Sequence, residues 1–206
     1  MMTANETLSS LDTLVSGFAD PVHDAQACFR VLLEALARPG TRYSIDVELD
    51  DDAQRRWPAA AFAALLTLVD FSTPVWLQQR DEALAQAIRF HTGAPLTDQP
   101  EAASFAYIAD AASLPAPDTF PLGTPEEPQG SATLLIRVDA LEGGRPLLLS
   151  GPGIRSSVRV GPVGIADTFW HARAALCAQA PCGLDCYLVC GRSVIGIPRT
   201  TRVELN

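Results

Sequence analysis

Apolar positions Cys28, Phe29, Leu32, Leu33 and Leu36 recur at helical spacing, so the first regular element predicted is an amphipathic helix over residues 24–36. Asp24 is its expected N-cap, and Pro39-Gly40 stops it. Residues 41–49 alternate instead, which predicts a strand, and Asp50, Asp51 and Asp52 read as a solvated turn. Residues 59–69 are apolar on nearly every side, the pattern of a helix packed deep against a sheet. A buried strand over 74–77, a helix over 81–90 and a strand over 104–108 follow. Residues 113–130 carry Pro115, Pro117, Pro121, Pro125 and Pro128, which prevents regular pairing and predicts an ordered surface loop. The apolar runs 132–138 and 146–149, joined by Glu142-Gly143-Gly144, are expected to pair as an antiparallel hairpin. A helix over 166–178 and strands over 184–190, 193–197 and 201–205 complete the pattern.

Interleaved helices and strands predict an α/β protein, a mixed sheet covered by helices on both faces. Residues 1–17 lack a firm period and read as a loosely ordered arm, so the expected division is an arm over 1–20 and one α/β domain over 21–206. At 206 residues and 48% hydrophobic, the chain can bury one substantial core.

Charge changes the picture more than composition does. The 15 basic residues against 24 acidic ones give a net charge of -9, which repels a nucleic-acid backbone at long range. All of the basic residues are arginine, so chemistry that needs a lysine amine, a Schiff base or a Walker A lysine, is excluded. The longest apolar run is too short to cross a bilayer, and the absence of a basic, apolar leader together with five cysteines predicts a cytoplasmic protein with reduced thiols and no membrane partner.

Candidate chemistry is sparse. Cys182, Cys186 and Cys190 lack the tight Cys-x2-Cys pair of zinc and cluster sites and read as strand packing, so no metal is expected. Gly151-Pro152-Gly153 follows a strand but opens no helix and reads as a tight turn. His91, beside Thr92 and Gly93, is placed to cap a helix end or face a cleft. Two readings stand open for Pro198 to Arg202: an anion site built from arginine forks and hydroxyls, or an edge strand with arginines paired to carboxylates. The ends of the predicted elements gather a candidate ligand site at one rim, with Arg199 and Thr200 or Thr201 as donors, Asp70 orienting the arginine, and Thr73 and His91 nearby. Trp57, Phe71, Trp76 and Phe120 are the expected members of an apolar patch for partners.

An ordered set of strings then resembles one family, the H subunit of the bacterial carbon-phosphorus lyase system (PhnH). It comprises Asp24 to Gln26 with Phe29-Arg30 and Leu32-Leu33, Pro39-Gly40, Thr67 to Asp70 with Thr73 to Leu77, and Phe90 to Leu96. It continues with Gly130 and Ala132 to Leu134, Gly143 to Arg145, Gly151 to Ile154, Gly183 to Asp185, Cys190-Gly191 and Ile197 to Glu204. The resemblance implies a three-layer α/β/α sandwich related to pyridoxal-phosphate-dependent transferases but without that cofactor, and with no cofactor of its own. It implies a homodimer that joins the G, I and J subunits of a core complex. That complex supports formation of alpha-D-ribose 1-methylphosphonate 5-triphosphate from a phosphonate and a nucleoside triphosphate, with either compound as a candidate ligand of this chain. No catalytic constellation can be assembled from the sequence, so the chain is not expected to act alone, and the alternative is a scaffold subunit with no ligand site.

Overall fold

A computed structural model describes residues 14–177 and 181–205. Helix α1 (Pro21–Ala37) begins earlier than its apolar pattern, because Asp20 caps it by accepting the His23 N–H at 3.2 Å and Pro21 suits the first turn. The three consecutive aspartates are not a free turn: Asp50 accepts the Asp52 N–H at 2.8 Å and caps a short helix, α2 (Asp51–Arg56). Acids in its first turn and Arg55 and Arg56 in its last complement the helix dipole. Helix α3 (Ala59–Leu68) is buried along most of its length, as its all-round apolar sequence requires.

Strands β1 (Arg42–Ser44), β2 (Val75–Leu77), β3 (Leu96–Thr97), β4 (Phe105–Ile108) and β5 (Thr133–Arg137) join one seven-stranded sheet with β8 (Asp185–Cys190) and β9 (Ser193–Ile197). Its order is β1-β9-β8-β5-β4-β2-β3, with β3, β2, β4, β5 and β8 mutually parallel and β9 and β1 antiparallel. Helices α1, α3 and α4 (Glu82–Thr92) cover one face, where Cys28, Leu32, Phe62, Leu84 and Ile88 pack on Tyr107, Leu135 and Tyr187. Cys28 is fully buried there, and desolvation pushes its thiol up to about 11. Native protein should therefore leave Cys28 unlabelled by iodoacetamide at pH 8, with labelling only after denaturation; mass spectrometry showing rapid native labelling would refute this.

The other face differs from expectation. It carries a second sheet of β6 (Leu147–Ser150), β7 (Val158–Val160) and β10 (Arg202–Leu205), in the order β10-β6-β7, together with helix α5 (Asp167–Cys177). Leu147, Leu149, Phe169, Trp170 and Val203 pack there against Leu134, Ile136, Cys186 and Leu188. The fold is thus α/β with a mixed main sheet, and its second cover is part sheet and part helix rather than helices alone. The expected hairpin between 132–138 and 146–149 does not form. Strand β5 has both edges taken, by β4 and β8, and is buried on both faces as a central parallel strand is, so β6 turns away to pair with β7 and β10. Cys186 and Cys190 lie on the face packed against this core, as their spacing predicts. Residues 117–119 and 128–130 of the proline-rich stretch form single 3-10 turns, as do 111–113 at its start. The arm over residues 1–17 falls mostly outside the described residues; of the part that is described, Val15 is buried.

Candidate functional site

Antiparallel pairing of β8 with β9 sets the start of one strand beside the end of the other, so Asp185 meets Arg199. Asp185 Oδ1 accepts the Arg199 backbone N–H at 2.7 Å, and Oδ2 accepts Nε–H at 3.2 Å. A terminal guanidinium nitrogen also donates to the Pro128 carbonyl. Both side chains are largely buried. The carboxylate partner of Arg199 is therefore Asp185, not Asp70. In the next turn Thr201 is fully buried and only Thr200 is exposed, so of the two hydroxyls only that of Thr200 faces solvent.

A second arginine, which sequence reasoning passed over, holds the same turn from inside. Arg173 of α5, 1% exposed, donates to the carbonyls of Pro198 at 2.8 Å, Ile197 at 3.1 Å, Thr201 at 3.1 Å and Leu184 at 3.3 Å. Its only sequence signal is its place on the helix face that holds Phe169 and Trp170. Arg199→Lys should lower the unfolding free energy by about 1–2 kcal/mol, since an ammonium cannot bridge Asp185 and Pro128 together. Urea denaturation with an unchanged midpoint would contradict that bridge.

Asp70 and Thr73 close a local turn. Asp70 Oδ1 accepts the Ser72 N–H at 2.8 Å and the Ser72 hydroxyl at 2.7 Å, and Thr73 Oγ1 accepts the Asp70 N–H at 2.6 Å. The Ser72 hydroxyl above all holds the Asp70 carboxyl below its ordinary range. His91 donates from Nε2 to the Val15 carbonyl at 2.9 Å, and Gly17 lies against its ring, so the histidine fastens the incoming arm. These residues occupy the same amino-end rim of the parallel strands as Arg199. They are not brought together with it, because β4 and β5 separate β2 from β8, a span of about 14 Å at ordinary strand spacing.

The opposite rim is a site that the sequence did not reveal. Beyond the carboxyl ends of β2, β4 and β5 lies a cavity of about 500 Å³ lined by Arg56, Trp57, Arg80, Asp81, Tyr107 and Arg137. A second of about 300 Å³ continues from Arg56, Trp57 and Arg137 toward Asp139 and Cys190. The chain leaves β2 toward β3 on one side and returns to β4 on the other, so this is where strand order reverses and where open α/β sheets place ligands. Gln78 fixes the rim: its amide donates to the Asp110 and Ser113 carbonyls at 2.9 Å each and its oxygen accepts the Asp110 N–H at 2.8 Å. Asp81 caps α4 through the Leu84 N–H at 3.0 Å and accepts the Trp57 indole N–H at 2.7 Å. Tyr107 is 3% exposed, and its hydroxyl has no hydrogen-bond partner within 3.5 Å among the described residues. Burial pushes its phenol up to about 12, with the Arg137 charge acting the other way. Among the described residues, neither Arg80 nor Arg137 has a carboxylate within 4.0 Å, whereas Arg56 is paired with Asp52 at 2.8 Å.

The patch expected at Trp57, Phe71, Trp76 and Phe120 is also redistributed. Trp57 and Phe120 are core, and Trp76 packs edge-on against Phe120 at 5.7 Å between centroids. Phe71 is exposed, with Phe90 and with Val22, Phe29 and Leu33 of α1.

Comparison with known proteins gives consistent results. A family model described as bacterial phosphonate metabolism protein (PhnH) matches residues 16–204. The alpha-D-ribose 1-methylphosphonate 5-triphosphate synthase subunit PhnH of Rhizobium meliloti (strain 1021) is 40% identical over 205 residues, covering 98% of this chain and 99% of the relative. HtxG of Stutzerimonas stutzeri, provisionally named a C-P lyase subunit, is 33% identical over 185 residues, covering 88% of this chain and 86% of its own length.

Proposed function

The chain belongs to the PhnH family of bacterial phosphonate metabolism proteins, and from that membership we propose that it is a subunit of a carbon-phosphorus lyase system. Its task there is to support formation of alpha-D-ribose 1-methylphosphonate 5-triphosphate from a phosphonate and a nucleoside triphosphate. The observation that carries this reading is identity of 40% with a synthase subunit over nearly the whole of both chains. The subunit is a homodimer by itself, joins the G, I and J subunits in the cytoplasm, and turns nothing over alone. The absence of lysine supports a chain that shares no aldimine chemistry with pyridoxal-phosphate-dependent transferases, whatever ancestry the fold has with them.

The alternative, a scaffold with no ligand site, draws on the apolar face of α1, where Val22, Phe29 and Leu33 stand in solvent at helical spacing. The Arg199 turn at the amino rim remains a proposed anion contact only through Thr200 and the outer edge of a guanidinium already bound to Asp185. The test is reconstitution. Tagged chain should co-purify with the other subunits, and the purified assembly should form the methylphosphonate ester from methylphosphonate and ATP, read by mass spectrometry. Equal product from an assembly lacking the chain would reject the proposal.

A further inference from the structure

We infer that the trough at the carboxyl ends of β2, β4 and β5 binds the phosphoryl groups of a triphosphate ester, with Arg80, Arg137 and the Tyr107 hydroxyl as donors. That an anion binds rests on geometry alone; that the anion is a triphosphate rests on the function proposed above.

Two independent features meet here. The first is position: the trough opens at the reversal of strand order, beside a rim that Gln78 holds rigid. The second is an unmet donor. A buried tyrosine hydroxyl without a partner costs free energy in the empty protein, and such groups are rare unless a ligand completes them. The Tyr107 ring lies on the helix-side face of the sheet, and its residue lines the same cavity as Arg80 and Arg137.

Charge selects the class. Arg80 and Arg137 lack carboxylate partners among the described residues, in a chain with nine more acids than bases. Two acids, Asp81 and Glu82, line the trough beside these donors, and the Asp81 charge adds to the rise of the Tyr107 phenol. Asp81 is bound to the Trp57 indole and the first turn of α4, and Glu82 lies 3.9 Å from Arg89. What remains for a ligand is two planar guanidinium forks, which only donate, and a phenolic O–H that can add a third donor. Arg137 lines both cavities, so a guanidinium without a carboxylate partner among the described residues is shared between them, which suits a chain of phosphoryl groups better than a single one.

The test uses the full chain and inorganic triphosphate in a calorimetric titration at low salt. The wild-type protein should bind, and Arg80→Ala and Arg137→Ala should each weaken binding by about tenfold or more. Both positions are exposed, so folding should be unaffected. Tyr107→Phe adds a readout that a structural role would not produce: affinity falls while the melting temperature of the empty protein stays level or rises, because an unmet buried hydroxyl is removed. Arg155→Ala, exposed outside the trough, should change nothing. No binding by the wild type, equal affinity in the trough variants, or an equal loss in Arg155→Ala would overturn the site. Binding that is lost in the trough variants of a chain dispensable for phosphonate use would leave the anion site standing and reject only the function.

Discussion

Arg173→Met is expected to lower the unfolding free energy by about 3–5 kcal/mol. Methionine keeps much of the volume, so the loss isolates hydrogen bonding from cavity formation. The guanidinium reaches four carbonyls, those of Leu184, Ile197, Pro198 and Thr201, from α5 on the far side of the second core. Without it, those carbonyls face an apolar side chain in a buried place. The turn that carries β9 of the main sheet into β10 of the small one loses its fastening. Lysine should recover only part of the loss, since an ammonium has three donors and no planar fork. Denaturant titration of the methionine variant with a loss below 1 kcal/mol would show that this contact network contributes little.

Gly196→Ala should cost about 2–3 kcal/mol, and Gly196→Val more. The glycine sits in β9, and a Cβ there would overlap the Ala35 carbonyl and stand 2.8 Å from the Leu36 nitrogen. Both neighbours are backbone of α1, so no side chain can swing aside. Nearby, Tyr187 donates to the Leu32 carbonyl at 3.1 Å, which ties the same helix to the sheet at the same distance. The helix would have to lift along its buried edge, exposing Leu32 and Ala35. Thermal melting of the alanine variant within a degree of the wild type would mean that α1 shifts freely.

Local pattern made the elements readable where one force decided them. The period of α1, the all-apolar α3 and the strands near 184–205 correspond to α1, α3, β8, β9 and β10. Partnership was not readable. A run such as Leu134-Leu135-Ile136 says that a strand is buried on both faces, but not that β4 and β8 are its neighbours, so proximity in sequence wrongly suggested β6. The same limit governs the sites. The string around Arg199 stood out because two arginines and two hydroxyls are adjacent in sequence, yet its carboxylate, Asp185, lies on another strand. Trp57, Arg80, Tyr107 and Arg137 come from four separate segments and meet only because the parallel strands share one rim. No spacing along the chain encodes that meeting. Arg173 was hidden for a different reason, since a buried arginine on an otherwise ordinary helix looks like a solvated one until its carbonyl partners are in place.

If the chain serves a carbon-phosphorus lyase system, an organism that lives on phosphonates needs it, and growth reads that need. Deleting its gene from the organism that encodes it should leave growth on inorganic phosphate unchanged and abolish growth on methylphosphonate as sole phosphorus source, with a plasmid copy restoring it. Undiminished growth of the deletion strain on methylphosphonate would contradict the account.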